Sequence, residues 1–175
     1  MRTMPPRLEK AALVVHVSAS VGWLGAVVAF LALALAGLGG GDATRTRAAY
    51  LAMDVLARLV LVPLAFASLA TGVMQALGTR WGLLRHYWVV AKLLITLVST
   101  LLLLVHLQPV VHVAQAAAEG PLADDALRPA RVQLVADAAL AIVALLAATA
   151  LSVVKPRGLT PYGLRRQREA RAPRP

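Results

Sequence analysis

Residues 88–107 read WVVAKLLITLVSTLLLLVHL, and this stretch decides the fold class. Twenty residues of α-helix span about 30 Å, which is the thickness of the hydrocarbon core of a bilayer. The run contains one charged residue, Lys92, near its start. A lysine at the centre of a membrane helix costs roughly 2.5–3.5 kcal/mol, and less near an interface, where its long stem can reach water. The stretch therefore predicts a transmembrane helix in which Lys92 needs a polar partner or a path to water.

Three further apolar runs of similar length make the chain an integral membrane protein. Of its 175 residues, 59% are hydrophobic, against about 45–50% in a typical soluble domain. We predict an all-α fold, a four-helix bundle that forms one membrane domain over residues 8–155. The glycines at 39–41 and the acidic stretch at 119–125 separate neighbouring helices, and Asp42 or Thr44 is expected to cap the second helix. The predicted spans lie at about 8–38, 46–77, 84–112 and 129–154.

The distribution of positive charge predicts the orientation. Residues 1–7 with the adjoining Lys10, the loop between the second and third spans, and the C-terminal segment together carry twelve lysine and arginine residues, whereas the opposite side carries four. Loops rich in lysine and arginine stay in the cytoplasm. We therefore expect both termini to be cytoplasmic, the protein to lie in the inner (cytoplasmic) membrane, and residues 156–175 to form a basic, disordered cytoplasmic tail.

Several classes of function are excluded by composition. The chain has no cysteine, so it forms no disulfide, no thiolate metal site and no cysteine nucleophile. The net charge of +10 comes from residues that flank apolar runs, which indicates the lipid bilayer as partner and argues against nucleic acid. The four methionines are scattered, at positions 1, 4, 53 and 74, without the cluster that copper transport would need.

Polar residues within the spans form two predicted layers. On the cytoplasmic side, His16 of the first span and Lys92 of the third lie at similar depth, so they can meet between the two helices. The interpretation of His16 as a functional residue and its interpretation as a structural histidine remain equally open. On the outer side, a structural ion-pair layer is expected, in which Arg58 pairs with an aspartate. Its members are Asp54, Arg58, His106 and Asp137. Tyr50 is expected to anchor the second helix at the membrane interface.

Two stretches resemble a known group of membrane proteins. LEKAALVVHVSASVGWLGAVV, at 8–28, resembles the first helix of the copper-resistance D-like membrane domain and of the four-helix bacterial protoporphyrinogen oxidase family (HemJ). ATGVMQALGTRWGLLRHYWVVAKLLITL, at 70–97, is similar to the next landmark of that group, a glycine at a helix end followed by a short turn and W-x-x-x-K. The segment KPRGLTPYG, at 155–163, resembles the tail of uncharacterised members of the group. The Tyr-His pair that the oxidases carry further along the third helix is replaced here by LVSTLLLLVHL.

The resemblance implies a haem b, with a histidine of the first helix and a lysine of the third as key residues. By matching, these residues are His16, which would be the metal ligand, and Lys92, which would contact the cofactor. Three functions remain open: a haem-binding membrane protein with a redox or haem-related role, an enzyme that oxidises a porphyrinogen, and a non-catalytic membrane subunit or transporter accessory. Whether the protein is an enzyme stays undecided. The expected small-molecule partner is a porphyrin or a quinone, and the expected protein partner is a second copy or another membrane subunit.

Overall fold

The computed structural model describes residues 4–39, 42–79, 82–120 and 127–171, and in these ranges the chain is helical without a β-strand. Four helices are long and apolar enough to cross a membrane, which confirms the predicted all-α, four-helix membrane fold. A fifth, short helix follows them. The helices are α1 (Pro6–Leu38), α2 (Ala43–Gly78), α3 (Tyr87–Glu119), α4 (Arg128–Val154) and α5 (Pro161–Arg171).

Large apolar side chains on the outside of the bundle show what surrounds it. Val14, Leu59, Val105 and Val143, one on each long helix, are each more than 60% exposed. Soluble proteins rarely expose contiguous apolar surface on this scale. The outer faces of α1 to α4 therefore suit lipid, and the protein is a multi-pass membrane protein.

The ends of the helices follow from the local sequence. Pro6 occupies the first turn of α1, where a missing N–H is harmless. Asp42 accepts a hydrogen bond from the Thr44 N–H at 3.1 Å and caps α2 as predicted. At the end of α4, Lys155 adopts a left-handed conformation with φ 47°, and its N–H still donates to Leu151. The third helix runs to Glu119, beyond the segment needed to cross the bilayer, and contains Pro109.

A short π-helical turn, Ala57–Leu61, interrupts α2 in its middle. The cause is Pro63, two residues after the end of the turn. Pro63 has no N–H, and its ring would clash with the carbonyl group of Leu59 in a regular helix. The backbone widens there, and the Val62 N–H donates to Ala57, five residues back. Ala57 and Leu61 of this turn are buried, so the π turn faces the bundle interior.

Backbone contacts define the two ends of the bundle. At one end, the Met4 N–H donates to the Gly78 carbonyl at 3.1 Å, and the Thr160 N–H donates to the Arg85 carbonyl at 3.1 Å. The chain before α1, the α2–α3 link and the segment after α4 therefore lie together. At the other end, Arg47 Nη2 donates to the Ala118 carbonyl oxygen at 3.1 Å. The first end is the one that the charge distribution predicts to be cytoplasmic.

The prediction of a disordered tail at 156–175 is wrong for residues 161–171, which form α5. Residues 172–175 lie outside the described part of the chain. Thr160 caps the helix, because its Oγ1 accepts a hydrogen bond from the Gly163 N–H at 3.1 Å and donates to the Leu84 carbonyl at 2.6 Å. The capping residue, Pro161 at the start and the good helix formers that follow explain why this basic segment becomes ordered.

The core contains a buried arginine that the sequence did not predict. Arg131 on α4 is 9% exposed. Its Nε donates to the Tyr50 hydroxyl at 2.9 Å, and its Nη2 donates to the Gly37 carbonyl at 2.6 Å. Tyr50 is only 1% exposed, so the prediction that it anchors α2 at the membrane interface is wrong. Its ring packs inward because Gly37 leaves space on α1.

Candidate functional site

His16 and Lys92 come together between α1 and α3. Lys92 Nζ lies 3.0 Å from His16 Nε2, although 76 positions separate the two residues in the sequence. His16 is 6% exposed, and Lys92 is partly buried. The contact is a hydrogen bond between two basic side chains. The predicted inner layer is thus a direct pair in the structure.

A threonine on α2 fixes the tautomer of His16. Thr71 Oγ1 donates its proton to the Ala67 carbonyl at 2.6 Å. The same oxygen lies 3.0 Å from His16 Nδ1, and it must accept there because its only proton is already used. Nδ1 therefore carries a hydrogen, and the neutral ring presents the lone pair of Nε2. Metal-ligating histidines are oriented in the same way, by a hydrogen bond at the nitrogen that does not bind the metal.

Gly72 on α2 provides the space for the imidazole ring. A Cβ atom on residue 72 would lie 3.1 Å from His16 Cε1, closer than side chains normally approach. One turn further along α1, Ser20 Oγ lies 2.8 Å from Ser68 Oγ, a second polar contact between α1 and α2. The ring of His16 is thus held by α2 on one side and reached by Lys92 of α3 on the other.

Lys92 has no acidic partner among the described residues. The salt bridges in that part of the chain involve Asp54, Asp137 and Glu169, and the hydrogen bond of its ammonium group goes to His16. Positive charge within a membrane span usually pairs with an anion or with backbone carbonyls. The pair of bases at this site therefore has no carboxylate partner in the described part of the chain.

The residues of the predicted outer layer form two separate pairs. Arg58 Nε lies 2.7 Å from Asp54 Oδ1 on the same helix. His106 Nε2 on α3 lies 3.2 Å from Asp137 Oδ2 on α4. Within the described ranges no salt bridge joins Arg58 to Asp137, so Arg58 takes Asp54 as its partner. Arg58 is half exposed because it lies on the outer side of the π turn.

Sequence reasoning missed the residues of α2 that hold His16. Thr71 and Gly72 carry no strong signal, because threonine is common in membrane helices and bonds back to its own helix, while glycine is frequent in membrane spans. Ser68 lies three residues before Thr71 and four before Gly72, so the three share one face of the helix. This spacing is the one feature of the sequence that could have indicated a polar face. His86 and Trp88 lie at the start of α3 with ring centres 6.4 Å apart.

Comparison with known proteins assigns no family to the chain. No family model, no curated protein and no solved structure matches it. Over the described ranges, no three His, Cys, Asp or Glu side chains form a group that could hold a metal ion, so any metal at His16 would need ligands from a cofactor. The fold and the site together define a multi-pass, all-α membrane protein with a buried histidine–lysine pair.

Proposed function

We propose that this protein is a haem b-binding protein of the cytoplasmic membrane, with the His16–Lys92 pair as its binding site and both termini in the cytoplasm. His16 Nε2 is the nitrogen that binds the iron. The ammonium group of Lys92 pairs with a propionate of the same haem. Haem, when bound, supplies one-electron redox chemistry at its iron.

The observation that carries the proposal is the hydrogen-bond chain from Ala67 through Thr71 to His16. These hydrogen bonds leave Nε2, the ring nitrogen that does not contact Thr71, with the free lone pair. This tautomer meets the requirement of an iron ligand, which must be unprotonated at the bonding nitrogen and oriented by its other nitrogen.

The positive charge of the site supports the proposed contact between Lys92 and a haem propionate. Within the described chain, Lys92 has a histidine as its hydrogen-bonding partner and no carboxylate. A propionate would neutralise that charge. Binding requires the ammonium group to leave Nε2, and the flexible four-carbon stem of lysine allows this movement. Exchange of a neutral imidazole for a carboxylate turns the contact into an ion pair, in which the carboxylate supplies the opposite charge.

A second candidate is a non-catalytic membrane subunit, and the 3.0 Å distance between Lys92 Nζ and His16 Nε2 favours it. In that case the two side chains satisfy each other, and the pair serves to join α1 to α3. A third, enzymatic function would be oxidation of a porphyrinogen. It would use the same residues for the carboxylates of an iron-free macrocycle.

Absorption spectra of the purified protein separate these functions. We expect a Soret band in the wild-type protein, or its appearance on titration with haemin. His16→Ala should abolish the band, and Lys92→Met should weaken or shift it. His112→Ala is the matched control, because His112 is an exposed histidine far along α3, and this variant should keep the wild-type spectrum.

The alternative outcomes are equally specific. A colourless wild-type protein that takes up no haemin, together with lower melting temperatures for both His16→Ala and Lys92→Met, would establish the structural subunit. Binding of iron-free protoporphyrin with the affinity of haemin would favour the enzymatic function, because His16 would then contribute no iron bond. The orientation is tested with reporter fusions. Fusions after residues 41 and 120 should report the outside, and a fusion after residue 78 the cytoplasm.

A further inference from the structure

A cavity of about 430 Å³ lies in the bundle, away from the His16–Lys92 pair. Its volume falls within the range of about 300–1,000 Å³ that is usual for small-molecule sites. Trp23 and Phe30 of α1 contribute aromatic walls, and Ala57 and Leu61 bring the π turn of α2 to its lining. Single π turns inside α-helices occur frequently at functional sites.

The opening of the cavity lies between α3 and α4. Val98 and Leu102 of α3 and Leu140 of α4 line it and are between 43% and 60% exposed. Such positions contact lipid in a membrane protein. A molecule that enters between these helices therefore comes from the hydrocarbon phase, and it must be soluble there.

Two ionisable side chains, His106 and Asp137, supply the polar part of this lining together with Ser99. His106 Nδ1 donates to the Leu102 carbonyl at 2.7 Å, since a carbonyl can only accept. His106 Nε2 therefore points to Asp137, 3.2 Å from Oδ2. Within the described chain, Asp137 Oδ2 is inaccessible to solvent and receives no well-aligned hydrogen bond. The Asp137 side chain as a whole is 32% exposed, so its carboxylate has the capacity for a further donor.

We propose that this cavity binds a lipid-soluble quinone, with one ring oxygen at the His106–Asp137 pair and the ring between the aromatic walls. The pair can present a donor, the Nε2–H of a protonated His106, to a quinone carbonyl. It can also present an acceptor, the Asp137 carboxylate, to the hydroxyl of the reduced form. A quinone oxygen is a carbonyl in the oxidised form and a hydroxyl in the reduced form. The donor of His106 matches the first form, and the acceptor of Asp137 matches the second. The proposal concerns a second site and does not rest on haem binding at His16.

Other membrane components fit the cavity less well. An acyl chain would fill the apolar part but would leave Asp137 Oδ2 without a donor. An anionic head group would be repelled by the carboxylate. The depth also argues against a head group, because Asp137 lies nine residues inside α4 from Arg128, or about 14 Å from the end of the helix.

Quenching of tryptophan fluorescence tests the proposal, because Trp23 lines the cavity. In a Trp81→Phe/Trp88→Phe background, Trp23 is the remaining fluorophore of the three tryptophans. The full-length protein in lipid nanodiscs is titrated with a decyl-substituted benzoquinone. We expect saturable quenching, at least tenfold weaker binding in both Asp137→Leu and His106→Leu, and loss of binding in Ala141→Leu, which fills the cavity. His112→Ala, a change outside the cavity, should bind like the parent.

Melting of each variant in detergent checks that the variant is folded. If the tryptophan variants are unstable, calorimetric titration of the unmodified protein gives a second measurement of binding. Decylbenzene, which has the same tail and ring but no ring oxygen, is the matched ligand. Displacement of the quinone by decylbenzene at equal concentration would overturn the proposal, since it would show an unspecific apolar groove. Binding in Asp137→Leu and His106→Leu that equals binding in the parent protein would overturn it too, as would the absence of saturable binding in the wild type.

Discussion

Tyr50 of α2 packs its ring directly against the backbone of Gly37 on α1. A Cβ atom on residue 37 would lie 2.6 Å from Tyr50 Cζ and 2.9 Å from its hydroxyl oxygen. The hydroxyl accepts a hydrogen bond from Arg131 of α4, and the Gly37 carbonyl accepts a second one. Three helices are thus joined through one guanidinium group, which can serve two acceptors because it has several N–H donors.

Gly37→Ala should destabilise the bundle. The new methyl group would overlap the Tyr50 ring, and overpacking of this kind typically costs about 1–3 kcal/mol. Gly25→Ala is the matched control, because a Cβ on residue 25 of the same helix meets nothing within 4 Å. That change should be neutral or should stabilise by up to about 1 kcal/mol through helix propensity. Denaturant unfolding in detergent measures both, and equal effects would contradict the packing described here.

The sequence could predict the membrane helices but not the direction in which their apolar residues face. The apolar runs located four spans, with starts and ends mostly within a few residues. Each helix is apolar on nearly all sides, however, so hydrophobic periodicity carries little information about rotation. Tyr50 was therefore placed at the interface, whereas the structure turns it into the core. Only polar residues indicate a face in such helices, and this explains why His16 and Lys92 were expected on facing surfaces.

The partners of the polar residues were harder to predict than their depth. The sequence predicted a similar depth for Arg58, Asp54 and Asp137, so depth alone allowed Arg58 to pair with either aspartate. The structure pairs it with Asp54, four residues away on the same helix. Depth also could not indicate Thr71, since a threonine that bonds to its own helix looks identical in sequence whether or not it contacts a histidine.

A double-mutant cycle should separate the two outer pairs. His106→Leu and Asp137→Leu should couple, by about 0.6 kcal/mol, the average for polar pairs between membrane helices. Arg58→Leu and Asp137→Leu should be additive, because the structure places no contact between these side chains. Unfolding of the single and double variants in detergent gives both coupling energies. A coupling of Arg58 to Asp137 as large as that of His106 would show one connected network.

Removal of the Thr160 hydroxyl should release α5 from the bundle. Thr160 Oγ1 donates to the Leu84 carbonyl and accepts from the Gly163 N–H, so Thr160→Val loses both the helix cap and the contact with the α2–α3 link. Loss of a cap costs about 1 kcal/mol, which corresponds to roughly a fivefold rise in the released population. Trypsin should therefore cleave after Arg165 about five times faster. Thr149→Val is the control, because Thr149 donates only within α4, and its cleavage rate should stay unchanged.

The tautomer of His16 is the most direct prediction about the site, because it does not depend on any ligand. Thr71 Oγ1 accepts from Nδ1, and Lys92 Nζ lies at Nε2, so the imidazole should be protonated at Nδ1 and unprotonated at Nε2. Nitrogen NMR of histidine-labelled protein distinguishes the two nitrogens. The signals of His16, one of four histidines, are assigned by their loss in His16→Ala.

Thr71→Val should change the spectrum of His16, because valine has the shape of threonine but no acceptor for the Nδ1 hydrogen. The ring then loses one of the two contacts that favour this tautomer and keeps the contact with Lys92, so a fraction of the protein should carry the hydrogen on Nε2 instead. The free energy of unfolding should fall by about 1 kcal/mol with the lost hydrogen bond. Thr100→Val is the control, since the Thr100 hydroxyl donates to the Thr96 carbonyl of its own helix. A wild-type His16 already protonated at Nε2 would show that Thr71 does not orient the ring, and the argument for an iron ligand would lose its structural support.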